Sequence, residues 1–314
     1  MTANSAIPHL SPADLDGFGI TTEEVVKFLS RLILDAADNT AWHAPKAVLT
    51  PPDGRYIMST LAAMSDPPLV ATKSLVLNDR NREAGLPPIN SLVSLIHGET
   101  GLPLATIDGN WITAVRTAGL SAVAAGYLAR KDTQTIGFVG TGVQARSHLD
   151  AMGDLFPLKH ILISGRGQTN IDLLSEAAEA RGLTSEICDT PQDAVRNADI
   201  VVTSVTHTAV SEPFLDANHL RPGACAIMAD LGAPWHRKSF GSLDLLAVDD
   251  LEQEASLPKP LADPRDVNGD LHGLVSGKLA GRLSDDQRTA FLFRGLAIGD
   301  LALAALAWQK YQDR

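Results

Sequence analysis

In residues 135–145, Thr-Ile-Gly-Phe-Val-Gly-Thr-Gly-Val-Gln-Ala, an apolar run (Ile136, Phe138, Val139) ends in Gly140-x-Gly142-x-x-Ala145. A helix-like run through Leu149 and Met152 follows. Strand, glycine turn and helix in that order form the cradle that a dinucleotide pyrophosphate needs. Gly140 permits the tight turn and Gly142 lets the backbone approach the phosphates. Ala145 keeps the helix close to the strand, and the helix N-terminus offers N–H groups to the anion. Thr141, Val143 and Gln144 complete the turn and are assigned to the cofactor with it. The glycine spacing alone would also fit a structural turn; the strand before it and the helix after it decide for cofactor binding.

The surrounding pattern repeats that alternation. Strands are expected at Thr135–Val139, His160–Ser164, Thr184–Ile187, Ile200–Ser204, Ala224–Ala229 and Leu245–Val248, and helices at Ile171–Arg181 and Gln192–Asn197. This implies a parallel sheet wrapped by helices. Before it, apolar spacing predicts a helix over Thr22–Ala37. Two hairpins follow, one around Thr50-Pro-Pro-Asp-Gly54 and one around Gly98-Glu-Thr-Gly101, with a strand at Leu69–Leu77 and a helix over about Ile112–Ala129. After Gly281 the chain reads as one long helix, opened by a capping-box pattern at Ser284-x-x-Gln287. Its Ala/Leu-rich end is too apolar to stand alone and must pack on the N-terminal part or another subunit. The fold class is therefore α/β: a Rossmann dinucleotide-binding domain over 132–280, and an α+β substrate-binding and dimerisation domain from both chain ends, 1–131 and 281–314.

A net charge of −11 argues against a nucleic-acid partner, which needs a basic face. Two distant cysteines, Cys188 and Cys225, make neither a disulfide framework nor a metal site and read as core thiols. His43, His97, His207, His219 and His272 show no metal-ligand spacing, so no metal is expected. No signal-peptide pattern opens the chain and no apolar run reaches membrane-spanning length. The reading is a cytoplasmic protein without membrane contact.

Three kinds of group would complete a nicotinamide site. A coenzyme selector sits about 20 residues past the turn, at the end of the second strand. There the chain has Ser164-Gly-Arg166 and no acidic residue. Ser164 and Arg166 suit a 2′-phosphate, so among the nicotinamide coenzymes, NAD(P), NADP is slightly favoured; the alternative is that Arg166 points to solvent. A substrate anchor is suggested by Lys46, Arg55, Lys73 and Arg116. Lys73 interrupts an apolar strand, and Arg116 opens an alanine-rich helix, where the dipole does not favour a cation. An anionic ligand would complete both, and a bidentate arginine suits a carboxylate. Lys46 and Arg55 fit a surface role equally well. A proton-handling group is suggested by Asp230, which ends an apolar strand where Rossmann strands line the ligand crevice; a turn-forming Asp before Gly232 is the alternative.

Taken together, these residues resemble the ornithine cyclodeaminase/mu-crystallin family. The resemblance rests on Ala44-Pro-Lys46, Gly85-Leu-Pro87, Gly101-Leu-Pro-Leu-Ala105, Thr113-Ala-Val-Arg-Thr-Ala118, Gly137–Ala145, Ala198–Ser204, Leu220-Arg-Pro-Gly223 and Gly295-Leu-Ala-Ile-Gly-Asp300. It implies a homodimer and a small α-amino or imino acid substrate. The substrate carboxylate would be held by Lys73 and Arg116, with Arg55 and Thr117 in the same pocket. Lys46 would lie near the reacting carbon and Asp230 would be catalytic. Thr203, Ser204 and Gly295 would border the cofactor. The family spans imine and ketimine reductases, amino-acid dehydrogenases, redox-neutral ornithine cyclodeaminases that use NAD catalytically, and NADPH-binding proteins such as mu-crystallin. The ornithine enzymes carry Arg where this chain has Lys46, and Glu shortly before the methionine matching Met58, where it has Tyr56 and Ile57. Without that Glu an ornithine side-chain amine loses its partner, and Lys46, Arg55 and Asp230 together look more like the NAD(P)-dependent dehydrogenase and imine-reductase branch. A further departure follows Asp230: Leu-Gly-Ala-Pro-Trp235 replaces the common Gly-Lys-x-Glu.

Overall fold

The computed structural model describes residues 6–206 and 210–314, so that His207 lies outside the described residues. The chain divides into two compact units, Met1–Arg116 with Leu296–Arg314, and Thr117–Gly295.

The first unit opens with strand β1 (His9–Leu10) and helices α1 (Pro12–Gly17) and α2 (Thr22–Ala37). Thr21 caps α2 through a reciprocal bond with Glu24. Strands β2 (Ala41–His43), β3 (Ala47–Leu49), β4 (Tyr56–Ser65), β5 (Pro68–Leu77), β6 (Ile89–His97) and β7 (Pro103–Asp108) then build one sheet in the order β1-β7-β6-β5-β4-β2, with β3 also on β4. Both expected hairpins are present. Period-two burial along β5 sends Leu69, Ala71, Lys73, Leu75 and Leu77 to the covered face. That face takes α9 (Ala297–Gln312), the last helix, which is buried from Ala297 through Trp308 and packs on β4, β5 and α2. An all-round apolar helix is stable only when enclosed in this way.

Helix α3 (Gly109–Leu128) spans the boundary between the units. It starts earlier than the sequence suggested, because the Asp108 carboxylate accepts from the Trp111 N–H at 2.7 Å and caps the first turn. Arg116 is therefore two turns into the helix, and the dipole argument drawn from its position does not apply.

The second unit continues with β8 (Thr135–Val139), α4 (Val143–Leu155), β9 (His160–Ser164), α5 (Gln168–Ala180), β10 (Thr184–Ile187), α6 (Pro191–Asn197) and β11 (Ile200–Thr203). It closes with β12 (Cys225–Met228), β13 (Leu245–Val248), α7 (Leu251–Ala255), β14 (Gly269–Asp270), α8 (Leu271–Ser276) and β15 (Thr289–Leu292). All its strand pairings are parallel, in the order β10-β9-β8-β11-β12-β15-β13-β14. The order reverses between β8 and β11, the point where open parallel sheets bind ligands.

The long helix expected after Gly281 is a correction. Thr289-Ala-Phe-Leu292 is a fully buried strand between β12 and β13, and helix resumes only at Ala297. A four-residue apolar run cannot be told from a buried helical turn by periodicity alone. The Ser284-x-x-Gln287 pattern does make its hydrogen bond, Gln287 Oε1 accepting from the Ser284 N–H at 3.3 Å, but within a turn. Both cysteines are free thiols, one half-buried and one buried. Among the described residues no helix is long and apolar enough to cross a membrane.

Gly137 tests the packing of this unit. A Cβ there would press into the Ala194 carbonyl and the Ala198 methyl, which hold α6 against β8. Gly137→Ala is expected to cost about 1–3 kcal/mol, measured by urea denaturation. An unchanged midpoint would mean that α6 does not seat on β8 as described.

Candidate active site

At the end of β8 the backbone of Gly140 takes φ +98°, a left-handed value that favours glycine. A Cβ there would also strike the Ser204 carbonyl at 2.8 Å. Gly142 is the N-cap of α4 and supplies no side-chain cap; no acidic residue occupies the first turn, and a Cβ on Gly142 would meet open space. Ala145 is fully buried against the sheet. A helix start without side-chain cap or acid is an electrostatically receptive anion site, so these residues fit a dinucleotide pyrophosphate. Thr141 is buried and fixes the next turn, because a Cβ on Gly165 would strike it. Val143 is exposed and Gln144 half-buried. Ser164 ends β9 buried and Arg166 is exposed two residues on. Ser204 borders the turn, its N–H donating to the Val139 carbonyl at 2.9 Å. Gly295, at φ +101°, donates its N–H to Asp249 Oδ2.

His148, which no sequence motif singles out, supports this turn from behind. It is fully buried, and burial pushes it down to about 4, so the ring is neutral. Its Nδ1 lies 2.7 Å from the Gln144 carbonyl, which can only accept, and its Nε2 lies 2.9 Å from Ser121 Oγ. Nδ1 therefore carries the hydrogen and Nε2 accepts from the serine.

Asp230 lies two residues beyond β12 and is buried. Its Oδ1 accepts from the Thr203 hydroxyl at 2.9 Å and its Oδ2 from the Val205 N–H at 3.0 Å. Burial outweighs these bonds and raises its carboxyl to about 7. At neutral pH the group therefore exists in both protonation states. Thr203 is itself fully buried, and its hydroxyl donates to Asp230.

In the first unit, Lys73 and Arg116 meet a third group, the acid that closes the Gly295–Asp300 motif. Asp300 of α9 accepts from Lys73 Nζ on Oδ1 at 2.7 Å, and Arg116 Nε stands 3.1 Å from the same oxygen. Thr60 donates to Oδ2 at 2.9 Å, and Lys73 Nζ also reaches Thr113 Oγ1 at 3.2 Å. Thr60 and Lys73 are direct cross-strand partners on β4 and β5. The anion that completes the two cations is thus internal. Burial opposes ionisation of Asp300, but Lys73 and Arg116 hold its carboxyl below the usual range. Burial, then Arg116, push Lys73 down to about 8 against the pull of Asp300, and Lys46 pushes the same way. At Lys73 the neighbouring charges are thus of both signs, Arg116 and Lys46 opposing its ammonium and Asp300 favouring it.

The remaining candidates divide. Lys46 is half-buried and its charge is felt at Lys73. Thr117 follows Arg116 on α3 and is buried. Arg55 is exposed, with its Nε on Asp53 Oδ2 at 2.8 Å, which is the surface alternative. Among the described residues there is no cluster of three or more His, Cys, Asp or Glu fit to hold a metal.

Comparison with known proteins gives the same outline. The sequence profile of the ornithine cyclodeaminase/mu-crystallin family matches residues 34–314. Alanine dehydrogenase of Archaeoglobus fulgidus is 29% identical over 73% of each chain. Ketimine reductase mu-crystallin of Rattus norvegicus is 28% identical over 82% of this chain and 80% of that one. The structure of Thermococcus litoralis Delta(1)-pyrroline-2-carboxylate reductase, solved with NADH and L-proline, matches with a TM-score of 0.89 at 26% identity over 98% of both chains.

The buried cluster makes a stability prediction of its own. Asp300→Ala leaves Lys73 and Arg116 without their carboxylate and is expected to destabilise the protein by about 3–5 kcal/mol. Thermal unfolding measures this. An unchanged Tm would show that the three groups do not share one ionised cluster.

Proposed function

The chain belongs to the ornithine cyclodeaminase/mu-crystallin family, and we propose that it is a nicotinamide-dependent reductase of small α-imino acids, working in reverse as an amino-acid dehydrogenase. The observation that carries this reading is Asp230, a buried carboxyl in the nucleotide-binding unit held at about 7. Such a group donates or accepts a proton at neutral pH. The three relatives described above are by name an alanine dehydrogenase, a ketimine reductase and a pyrroline-carboxylate reductase, all acting at a C–N bond.

When bound, the reduced nicotinamide supplies a hydride to the imine carbon. The protein's own groups do the rest. The turn from Gly140 to Ala145 holds the pyrophosphate. Lys73 and Arg116, with the charge of Lys46 beside them, bind the substrate carboxylate. Asp230 gives its proton to the imine nitrogen, so that C=N, one proton and one hydride become CH–NH, and it takes a proton back in the dehydrogenase direction. Ser164 and Arg166 favour NADPH over NADH, because a serine hydroxyl and a guanidinium suit a 2′-phosphate. Lys46, with Tyr56 and Ile57 in place of the acidic residue of the ornithine enzymes, favours imine reduction over cyclodeamination.

A second copy of the chain is the proposed partner. On the outward face of β4, β5 and β6 stand Ile57, Leu61, Val70, Val76, Leu92 and Ile96 among small or uncharged residues, with no charged side chain between them. An uncharged sheet face of that kind resembles an interface more than a solvated surface.

The deciding assay follows NADPH and NADH consumption with cyclic imino acids, and with 2-oxo acids plus ammonia or methylamine. Turnover is expected, faster with NADPH. Arg116→Ala should raise KM for the imino acid by about 10- to 100-fold, the worth of a charge-assisted hydrogen bond. An unchanged KM would remove Arg116 from the anchor. Ammonia release from ornithine with catalytic NAD and no net NADH would replace imine reduction with cyclodeamination. For the dimer, Leu61→Glu should give monomers in sedimentation with unchanged circular dichroism; a dimer that persists would put the interface elsewhere.

A further inference from the structure

We propose that Trp235 and Thr203 are positioning residues for Asp230, forming a hydrogen-bond relay of fixed direction that aims the carboxyl group's proton away from the protein interior. The inference rests on the reading of Asp230 as the proton-handling group, and one of its two residues, Trp235, ends the stretch that departs from the family's common pattern.

Trp235 Nε1 lies 3.2 Å from Thr203 Oγ1, and that oxygen lies 2.9 Å from Asp230 Oδ1. Trp235 and Thr203 are fully buried and Asp230 nearly so. An indole N–H can only donate. Thr203 Oγ1 must therefore accept from Trp235, and of these two partners only Asp230 can take the threonine hydrogen. Oδ2 is likewise occupied by a donor, the Val205 N–H at 3.0 Å. Both carboxyl oxygens thus receive a hydrogen from the protein. When Asp230 is protonated, its own hydrogen is not needed by either neighbour and remains available to an external acceptor.

Without the indole, the threonine hydroxyl would be free to turn round and accept the Asp230 proton, burying it in an internal bond. Trp235 disfavours that arrangement: the indole N–H occupies one lone pair of the hydroxyl oxygen and leaves the hydroxyl hydrogen best placed on Asp230. The backbone is bent to deliver the indole there. Leu231 takes φ +64° and Gly232 φ +64°, and two tight turns follow, Ala233 N–H to the Asp230 carbonyl at 3.1 Å and Trp235 N–H to the Gly232 carbonyl at 3.0 Å. A left-handed leucine is a strained conformation that persists only where its surroundings over-determine it. The largest influences on the titration of Asp230 are burial, the Val205 N–H, the Thr203 hydroxyl, and the backbone N–H groups of Asp230 and Gly232; none of these is a charged group.

Trp235→Phe keeps the ring and removes the donor, Thr203→Val removes the hydroxyl at constant shape, and Thr203→Ser restores it. The carboxyl titration of Asp230 is read by 13C NMR in the protein without substrate, with Asp230→Asn identifying the resonance. Alongside it, the alkaline limb of kcat/KM for imine reduction is followed. A hydrogen bond to the ionised form lowers a carboxyl pKa, so its loss raises it. Thr203→Val should move the midpoint up by about one to two pH units, Trp235→Phe should move it the same way by less, and Thr203→Ser should return it to the wild-type value. The reductase limb should follow, so that the variants keep their protonated acid to higher pH. A Trp235→Phe protein with a lowered Tm and a wild-type midpoint would overturn the relay and leave Trp235 a packing residue. A midpoint that moves while the kinetic limb stays fixed would support the relay and remove Asp230 from the chemistry.

Discussion

Two buried cations need a buried anion, and in this chain the anion stands on the last helix. Lys73 lies in the covered phase of β5, where an ammonium among Leu69, Ala71, Leu75 and Leu77 is tolerable only if compensated. Asp300 supplies that compensation from α9, and Thr60 and Thr113 satisfy what the ion pairs leave over. Residues 296–314 must therefore return to the first 116 residues, and the middle of the chain becomes a separate unit. A buried ion pair is weak evidence for stability, since apolar residues of similar volume often serve as well or better. Under the function proposed above, the same two cations would also hold a substrate carboxylate.

The nucleotide-binding unit depends on a different constraint, the common polarity of its strands. With β8, β11 and β12 adjacent and parallel, Gly140, Ser204 and Asp230 all follow the carboxyl ends of neighbouring strands. The glycine turn packs on the Ser204 backbone, and the carboxyl reaches back to Thr203 on the strand between. The glycine turn and the Asp230 carboxyl are thereby set one strand apart without any long-range device. The strain at Leu231 is local to the turn that carries the indole over the same strand.

Much of this was legible in the residues. The helix over Thr22–Ala37 and the strands at Thr135–Val139, His160–Ser164, Thr184–Ile187 and Leu245–Val248 have the bounds that periodicity and turn residues predict. Lys73 in an apolar strand was readable as a buried charge, because period-two alternation assigns it to the covered face. Asp300 was not, although it lies in the C-terminal motif: a single acid in an apolar helix does not reveal which distant cations it faces. Strand β15 was lost to the ambiguity of a short apolar run before a long apolar helix. Trp235 gave no signal, because the role of an indole depends on which hydroxyl lies above it, and that is a property of strand order rather than of local sequence. The two unit boundaries lie at 116 and 295 rather than 131 and 280, since α3 is continuous across one and β15 completes a sheet before the other.

Two aspartates, both buried, show how the same side chain is given opposite work. Asp230 and Asp300 are alike in burial, which disfavours the charged form of each. Asp300 meets an ammonium and a guanidinium at contact distance, and their field overcomes the lost hydration, so it stays ionised as a fixed counter-charge. Among the described residues Asp230 meets neutral donors, a hydroxyl and backbone N–H groups, and these recover part of the loss but not all of it. Its carboxyl is left at about 7, where adding or removing a proton costs little. A fixed charge suits the holding of a substrate and a labile proton suits its conversion. Exchanging the neighbours of the two groups would exchange their roles, and it is in those neighbours that the chemistry of this chain is written.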